Sequence, residues 1–188
     1  MRHESHFRVH FHHTIAMDAG MIPRVSLAMR CAIFFVAACL LAPIPNAKAA
    51  VTFTCTVSAT GIAFGNYNPL SPVGDSATGT WSVSCNAIGS GSATVSGTLT
   101  LSTGSSGSYV ARTMMSGTHA LQYNIYLTPS YTQVMGNGSA GTYAPSESGT
   151  VTAGQIYQIT GYMYGYMPPS QDVLAGSYAD SIVVTVTY

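Results

Sequence analysis

Charge is the first thing this 188-residue sequence is short of: Asp, Glu, Lys and Arg make up 6% of it, with a formal net charge of +0. The few charges are also unevenly placed. Five of the six histidines (His3, His6, His10, His12, His13) fall in the first thirteen residues, and five of the six Lys and Arg (Arg2, Arg8, Arg24, Arg30, Lys48) precede residue 49. From residue 50 onward one basic side chain, Arg112, faces four acids, Asp75, Glu147, Asp172 and Asp180. Nucleic-acid binding needs clustered Lys and Arg to neutralise phosphates, so that class is excluded. His119 is the single histidine in this part. A Ser or Cys nucleophile would have one candidate base, and His119 reads instead as a surface or strand-edge residue. The His and Cys clusters of a metal site are missing. The nearest pair of acids, Asp172 and Asp180, reads as solvated loop groups rather than the flanking carboxylates of a glycosidase. Gly104-Ser105-Ser106-Gly107 lacks the lysine and following helix of a phosphate loop. The expectation is a non-enzymatic protein with no cofactor and no metal.

A long apolar run is missing too. The longest, residues 31–44, has 14 residues, whereas crossing a bilayer takes about 20. It follows Arg24 and Arg30 and precedes Ala47-Lys48-Ala49, the order of a secretory signal: basic region, apolar region, A-x-A cleavage site. Residues 1–49 are therefore read as a leader, cleaved after Ala49, and residues 50–188 as one domain. The His-rich opening has the composition of a metal-binding tract. The plainer reading starts the protein at Met17, Met21 or Met29. Cys31 and Cys39 leave with the leader, so Cys55 and Cys85 remain, an even pair in an exported chain. That pattern predicts a disulfide, the alternative being two buried thiols.

What is plentiful in residues 50–188 is Thr, Ser, Val, Gly and Tyr: all 12 tyrosines and 18 of the 19 glycines lie there. Alternation of period two recurs, with no convincing helical period. Val51, Phe53, Cys55 and Val57 alternate with hydroxyl residues, as do Trp81, Val83 and Cys85, then Val95, Gly97, Leu99 and Leu101. Leu121, Tyr123, Ile125 and Leu127 continue the pattern, and residues 155–164 form a strand candidate of mixed faces. Ile182, Val184, Val186 and Tyr188 share one face of the last strand. Asn66-Tyr67-Asn68-Pro69, residues 89–91 and 104–107, Asn137-Gly138 and Met167-Pro168-Pro169 are turn signals. About seven short strands with this punctuation predict an antiparallel sandwich or barrel. Tyr162, Tyr164 and Tyr166, with Tyr157 as a further candidate, each apolar in body and polar at the tip, form a candidate adhesive surface; the plainer reading is that they cover a sandwich face.

Several strings resemble the spore coat protein U domain family, which includes subunits of archaic chaperone-usher pili. They are Cys55 and Cys85 flanking Phe64-Gly65-Asn66-Tyr67-Asn68-Pro69, then Arg112-Thr113-Met114, then Leu121-Gln122-Tyr123-Asn124-Ile125-Tyr126-Leu127, and the closing stretch over residues 175–188. The resemblance implies an immunoglobulin-like antiparallel β-sandwich that lacks one strand and is completed by a donor strand from another subunit. It implies a periplasmic chaperone, an outer-membrane usher and other pilus subunits as partners, and export through the periplasm to the cell surface. Ile182, Val184, Val186 and Tyr188 are then the expected wall of the strand-accepting groove and chaperone contact. Met135-Gly136 and Gly165-Tyr166 depart from the family pattern, in stretches that read as loops. A polymerising subunit carries a donor arm of about ten residues, roughly 33 Å as a strand. Cleavage after Ala49 leaves five residues before Cys55, so either the subunit accepts a strand without donating one, at a tip or terminal position in the fibre, or cleavage falls earlier; the tip position is the expectation.

The expected function is thus a structural or adhesive subunit of a secreted surface pilus or coat, binding a surface or glycan receptor and no nucleic acid. Two alternatives come from other classes. One is an exported carbohydrate-binding β-sandwich module, with Tyr162 to Tyr166 as its platform. The other is a small outer-membrane β-barrel, which alternation and tyrosine richness also fit.

Overall fold

The computed structural model describes residues 5–12 and 50–188. The expected leader and its cleavage site otherwise lie outside the described residues. The described chain forms nine strands and one short 3-10 turn: β1 (Ser5–His12), β2 (Thr52–Ala59), β3 (Asp75–Ile88), β4 (Ser92–Leu101), the turn Gly104–Ser106, β5 (Arg112–Ser116), β6 (His119–Tyr126), β7 (Ser146–Thr152), β8 (Ile156–Met167) and β9 (Tyr178–Thr187). The strands run in the order β2-β3-β8-β6-β5-β9-β4-β7, and β1 pairs with β9. All pairings except β1 with β9 are antiparallel.

Strand β6 belongs to both layers. Its first half pairs with β5, Arg112 opposite Tyr123, and its second half with β8, Asn124 opposite Tyr166. One layer is therefore β2-β3-β8-β6 and the other β6-β5-β9-β4-β7. The path is open, ending at β2 and β7. The alternation read in the sequence is what lets the two layers pack. In β9 the even positions Tyr178, Asp180, Ile182, Val184 and Val186 are buried. In β3 the odd positions Gly79, Trp81, Cys85 and Ala87 are buried and Ser76, Thr78 and Thr80 are exposed. Ile62, Phe64, Trp81, Leu99, Leu101, Met114, Leu121, Ile125, Met163, Met167, Ile182 and Val184 build one apolar core between the layers. An apolar inside under hydroxyl-rich outer faces is the inverse of a transmembrane barrel, whose outside is apolar and whose lumen is polar. The chain is an all-β protein of the immunoglobulin-like sandwich type, and the barrel alternative is set aside.

The strand reading differs from the structure in three places. Strand β3 extends from Asp75, well before the Trp81 to Cys85 run that marked it. Strands β5 and β7 were not among the alternating runs, because β7 (Ser-Glu-Ser-Gly-Thr-Val-Thr) buries only Val151. Gly165-Tyr166 lies inside β8 and not in a loop. Gly165 is buried, and a Cβ there would sit 2.6 Å from Phe64 Cζ and 2.7 Å from Ile62 Cγ2. Met135 does lie between strands, in a segment with isolated bridges, but it is 0% exposed and part of the core. The departure at Met135 thus concerns the interior, whereas Tyr166, the departing residue of the other pair, lies on the outer face of β8 beside the buried Gly165.

Candidate functional site

Strand β9 organises the first candidate region. The Ser102 amide donates to Val183 O at 3.0 Å and the Val183 amide to Ser102 Oγ at 2.9 Å, so odd-numbered backbone groups of β9 point toward β4. Strand β5 joins β4 on that same edge, with Met115 opposite Ala179. The even-numbered groups point to the other edge. There β1 runs parallel, from Ser5 opposite Tyr178 to His12 opposite Thr185, with Val9 opposite Ile182. No strand of residues 50–188 lies along that edge. The expected groove residues Ile182, Val184 and Val186 are 0%, 1% and 4% exposed and pack in the main core. Tyr188 is half-buried; its hydroxyl accepts from the Cys55 amide at 3.3 Å and its ring lies 5.9 Å from Phe53. The last residue of the chain thus reaches across from the β9 layer to β2.

Cys55 and Cys85 are joined by a disulfide, 4.0 Å apart at Cα, opposite each other on neighbouring strands β2 and β3. Both are buried, with Ala87, Val95 and Val151 around them.

A second region was not anticipated. Arg112, the lone cation of residues 50–188, is 0% exposed. Its guanidinium donates to Asn124 Oδ1 at 2.6 Å, Ser102 O at 2.9 Å and Met135 O at 2.7 Å, and lies 5.1 Å over the Tyr109 ring. Burial pulls its pKa below the ordinary arginine value, while Tyr123, Tyr109 and Asp180 pull the other way. Asp180 is 3% exposed and accepts from the Ser105 amide (2.8 Å), Ser105 Oγ (2.6 Å), Tyr123 Oη (2.7 Å) and its neighbour the Ser181 amide (2.8 Å). Gly104, at φ 67°, allows this approach, because a Cβ there would collide with the Asp180 carboxylate. Burial, reinforced by Asp180, pushes the Tyr123 hydroxyl far above the usual tyrosine range. The arrangement binds the β4–β5 connection to β6 and β9. These bonds tie the turn, β5, β6 and β9 to one another. The signal that could have found it is the isolation of Arg112 in an almost uncharged domain.

The expected adhesive tyrosines are brought together. Tyr162, Tyr164 and Tyr166 occupy alternate positions on the outer face of β8, with Tyr162 59% exposed, whereas Tyr157, an odd position opposite Cys85, packs inward against the disulfide cluster and is not part of this surface. Two residues that sequence reasoning did not assign to this surface, Tyr126 and Tyr131, join them. Tyr131 lies 4.9 Å from Tyr166 and 5.5 Å from Tyr126, and Tyr162 lies 6.2 Å from Tyr164. Burial, then Tyr166, raises the Tyr126 pKa. His119 is exposed at the start of β6, as expected. Among the described residues no group of three His, Cys, Asp or Glu is placed to hold a metal, and no helix is long and apolar enough to cross a membrane.

The Spore Coat Protein U domain matches residues 43–185. No match was found among curated proteins. A similar solved structure is the CsuC-CsuE chaperone-tip adhesion subunit pre-assembly complex from archaic chaperone-usher Csu pili of Acinetobacter baumannii, at 22% identity and a TM-score of 0.42. The match covers 73% of this chain and 40% of that one. The domain match spans most of the sequence, and the chain belongs to the spore coat protein U domain family.

Proposed function

We propose that this chain is a non-enzymatic structural or adhesive subunit of a secreted surface pilus or coat, assembled by the chaperone-usher route. The observation that carries the reading is the use of β9. One edge is paired with β4 and β5, and the other with β1, a strand from the part of the sequence read as a removable leader. With the leader gone, a row of backbone groups beside the core residues Ile182 and Val184 would need a strand from elsewhere. Strand addition satisfies such an edge. The donor would be a periplasmic chaperone first and a neighbouring subunit later, handed over at an outer-membrane usher. Strand β2 begins at Thr52, leaving almost no free arm after Ala49, which supports a tip or terminal position. Export through the periplasm to the cell surface follows from this route, as does the persistence of the Cys55–Cys85 disulfide in an oxidising compartment.

The test is export of the full chain with and without a candidate periplasmic chaperone. The reading predicts a stable one-to-one complex in the first case and degradation or aggregation in the second. A soluble, protease-resistant monomer obtained without any chaperone would overturn it. N-terminal sequencing of the exported chain tests the tip assignment, since a start near residue 40 would restore a donor arm.

A further inference from the structure

The outer face of β8 differs from the rest of the surface of the sandwich. The other outward positions are almost all small hydroxyl or amide residues: Thr52, Thr54, Thr56 and Ser58 on β2, and Ser76, Thr78, Thr80 and Ser82 on β3. At β8 the same sheet carries Tyr162, Tyr164 and Tyr166, with Thr80 and Thr78 directly opposite the first two. Tyr126 on β6 lies opposite Tyr164 on the far side. Alternate residues on a strand are about 7 Å apart, so this aromatic strip runs roughly 14 Å along β8.

The strip is extended by a segment built to present one ring. Residues 127–133 close on themselves through Leu127 N to Gln133 O at 2.9 Å and Tyr131 N to Thr128 O at 3.2 Å. A chain of hydroxyls, Thr128 to Ser130 at 2.8 Å and Ser130 to Thr132 at 3.1 Å, stiffens it. At its apex Tyr131 has φ 54°, a left-handed conformation that a bulky side chain adopts only at a cost. Strain of this kind gathers at functional sites. Its product here is a ring set edge-on to Tyr126, 73° between planes, and tilted 31° over Tyr166.

We propose that Tyr126, Tyr131, Tyr162, Tyr164 and Tyr166 form a binding platform for a neutral polysaccharide. Flat rings bordered by hydroxyls match the two kinds of surface a sugar ring presents, its apolar C–H face and its hydroxyl rim. Charge selects among sugars. No residue on the outward positions of β2, β3 or β8, or in 127–133, is charged, and the single Arg of residues 50–188 is buried. A phosphorylated, sulfated or uronic-acid polymer would find no cation to meet, whereas an uncharged chain loses nothing. The platform gives a receptor class to the subunit and rests on that reading only for the chain's place outside the cell.

The experiment uses the exported full chain in the assembly in which it purifies. Retention is measured on cellulose, amylose and chitin, and dissociation constants on the matching soluble hexasaccharides. Alginate serves as the anionic probe and octyl-agarose as the apolar one. The platform predicts binding to at least one neutral polymer, with the same constant at low and high salt, since no ion pair is involved. Tyr131→Ala and Tyr164→Ala should each weaken it about tenfold, equivalent to about 1.4 kcal/mol. Tyr143→Ala, at an exposed tyrosine outside the strip, should leave it unchanged. Tyr162→Ala removes a largely exposed ring and keeps the test valid where the other two variants fold poorly. Failure to bind any neutral polymer, equal binding by all variants, or preference for alginate or octyl-agarose would overturn the proposal. Loss of sugar binding with an intact chaperone complex would overturn the platform alone, and a stable monomer that binds sugar would overturn only the strand-complementation reading.

Discussion

Strand β9 runs between two regions of the interior that are fastened in different ways. Near its start Asp180, with Arg112, Tyr123 and Asn124 close by, gathers hydrogen bonds from the 3-10 turn and from β6. Just past its end Tyr188 meets Cys55, which is bonded covalently to Cys85. At the disulfide, β2 and β3 are already paired along their length, so the bond adds a constraint on the unfolded chain to a ladder that exists anyway. At the Arg112 end the chain leaves β4, turns through residues 102–111 and enters β5, and carbonyls of Ser102 and Met135 would otherwise be buried beside a core. A branched cation with several donors can satisfy them where no strand can. Regular pairing is finished with a covalent staple, and irregular backbone with a polar one.

The sharpest way to break the comparison is to remove the polar staple. Arg112→Met replaces the side chain by an apolar one, strands the Met135 and Ser102 carbonyls, and takes from Asn124 Oδ1 one of its two donors, the Ile125 amide remaining. Unsatisfied buried groups cost about 1–3 kcal/mol each, so chemical denaturation should show a loss of about 4 kcal/mol. A loss under about 1 kcal/mol would mean that water replaces the guanidinium. Next in size is the covalent staple. Cys55→Ser with Cys85→Ser opens a link across 30 residues of sequence and should cost about 3–4 kcal/mol on the chain-entropy model. Alkylation of the wild type should label neither sulfur before reduction.

Tyr123→Phe should cost about 2 kcal/mol at neutral pH by removing one donor to Asp180. Its pH dependence has a definite sign. The folded-state pKa of Tyr123 is raised, so the group contributes stability that is complete below the unfolded value near 10 and is lost as pH rises above it. The gap between wild type and Tyr123→Phe should therefore narrow in titrations above about pH 10. A gap that widened there would contradict the burial of this hydroxyl. Smallest is Gly165→Ala, which pushes a methyl into Phe64 and Ile62 on the inner face of β8 and should cost about 1.5 kcal/mol. The same substitution in a loop would cost almost nothing, so a melting curve separates the two placements.

The two staples also differ in how readable they are. Cys55 and Cys85 announce themselves, since two cysteines left in an exported chain have few other uses and both fall on inward positions of alternating runs. Arg112 carries no such mark: most of its partners are backbone carbonyls, which every residue owns, and Asp180, 68 positions away, reads in the sequence as a solvated loop acid. The structure instead buries Asp180 in β9, because the Ser105 and Tyr123 donors replace its water. Alternation located β2, β6 and β9 because one face of each is apolar. It could not locate β7, whose seven residues bury a single valine against β4. The tyrosine strip was legible along β8, where three rings follow a period of two. Tyr131 was not, because its place beside Tyr166 depends on a left-handed turn at a residue type that rarely adopts one.

The account turns on the edge of β9 that faces away from β4. Amide hydrogen exchange measured on the exported chain, alone and in complex with a chaperone, reads that edge directly, because the amides of Asp180, Ile182 and Val184 point to it. The account predicts slow exchange at these three positions only in the complex, while Val183, directed at Ser102, is protected in both. Equal and strong protection of Ile182 and Val184 in a leaderless chain with no partner would contradict it.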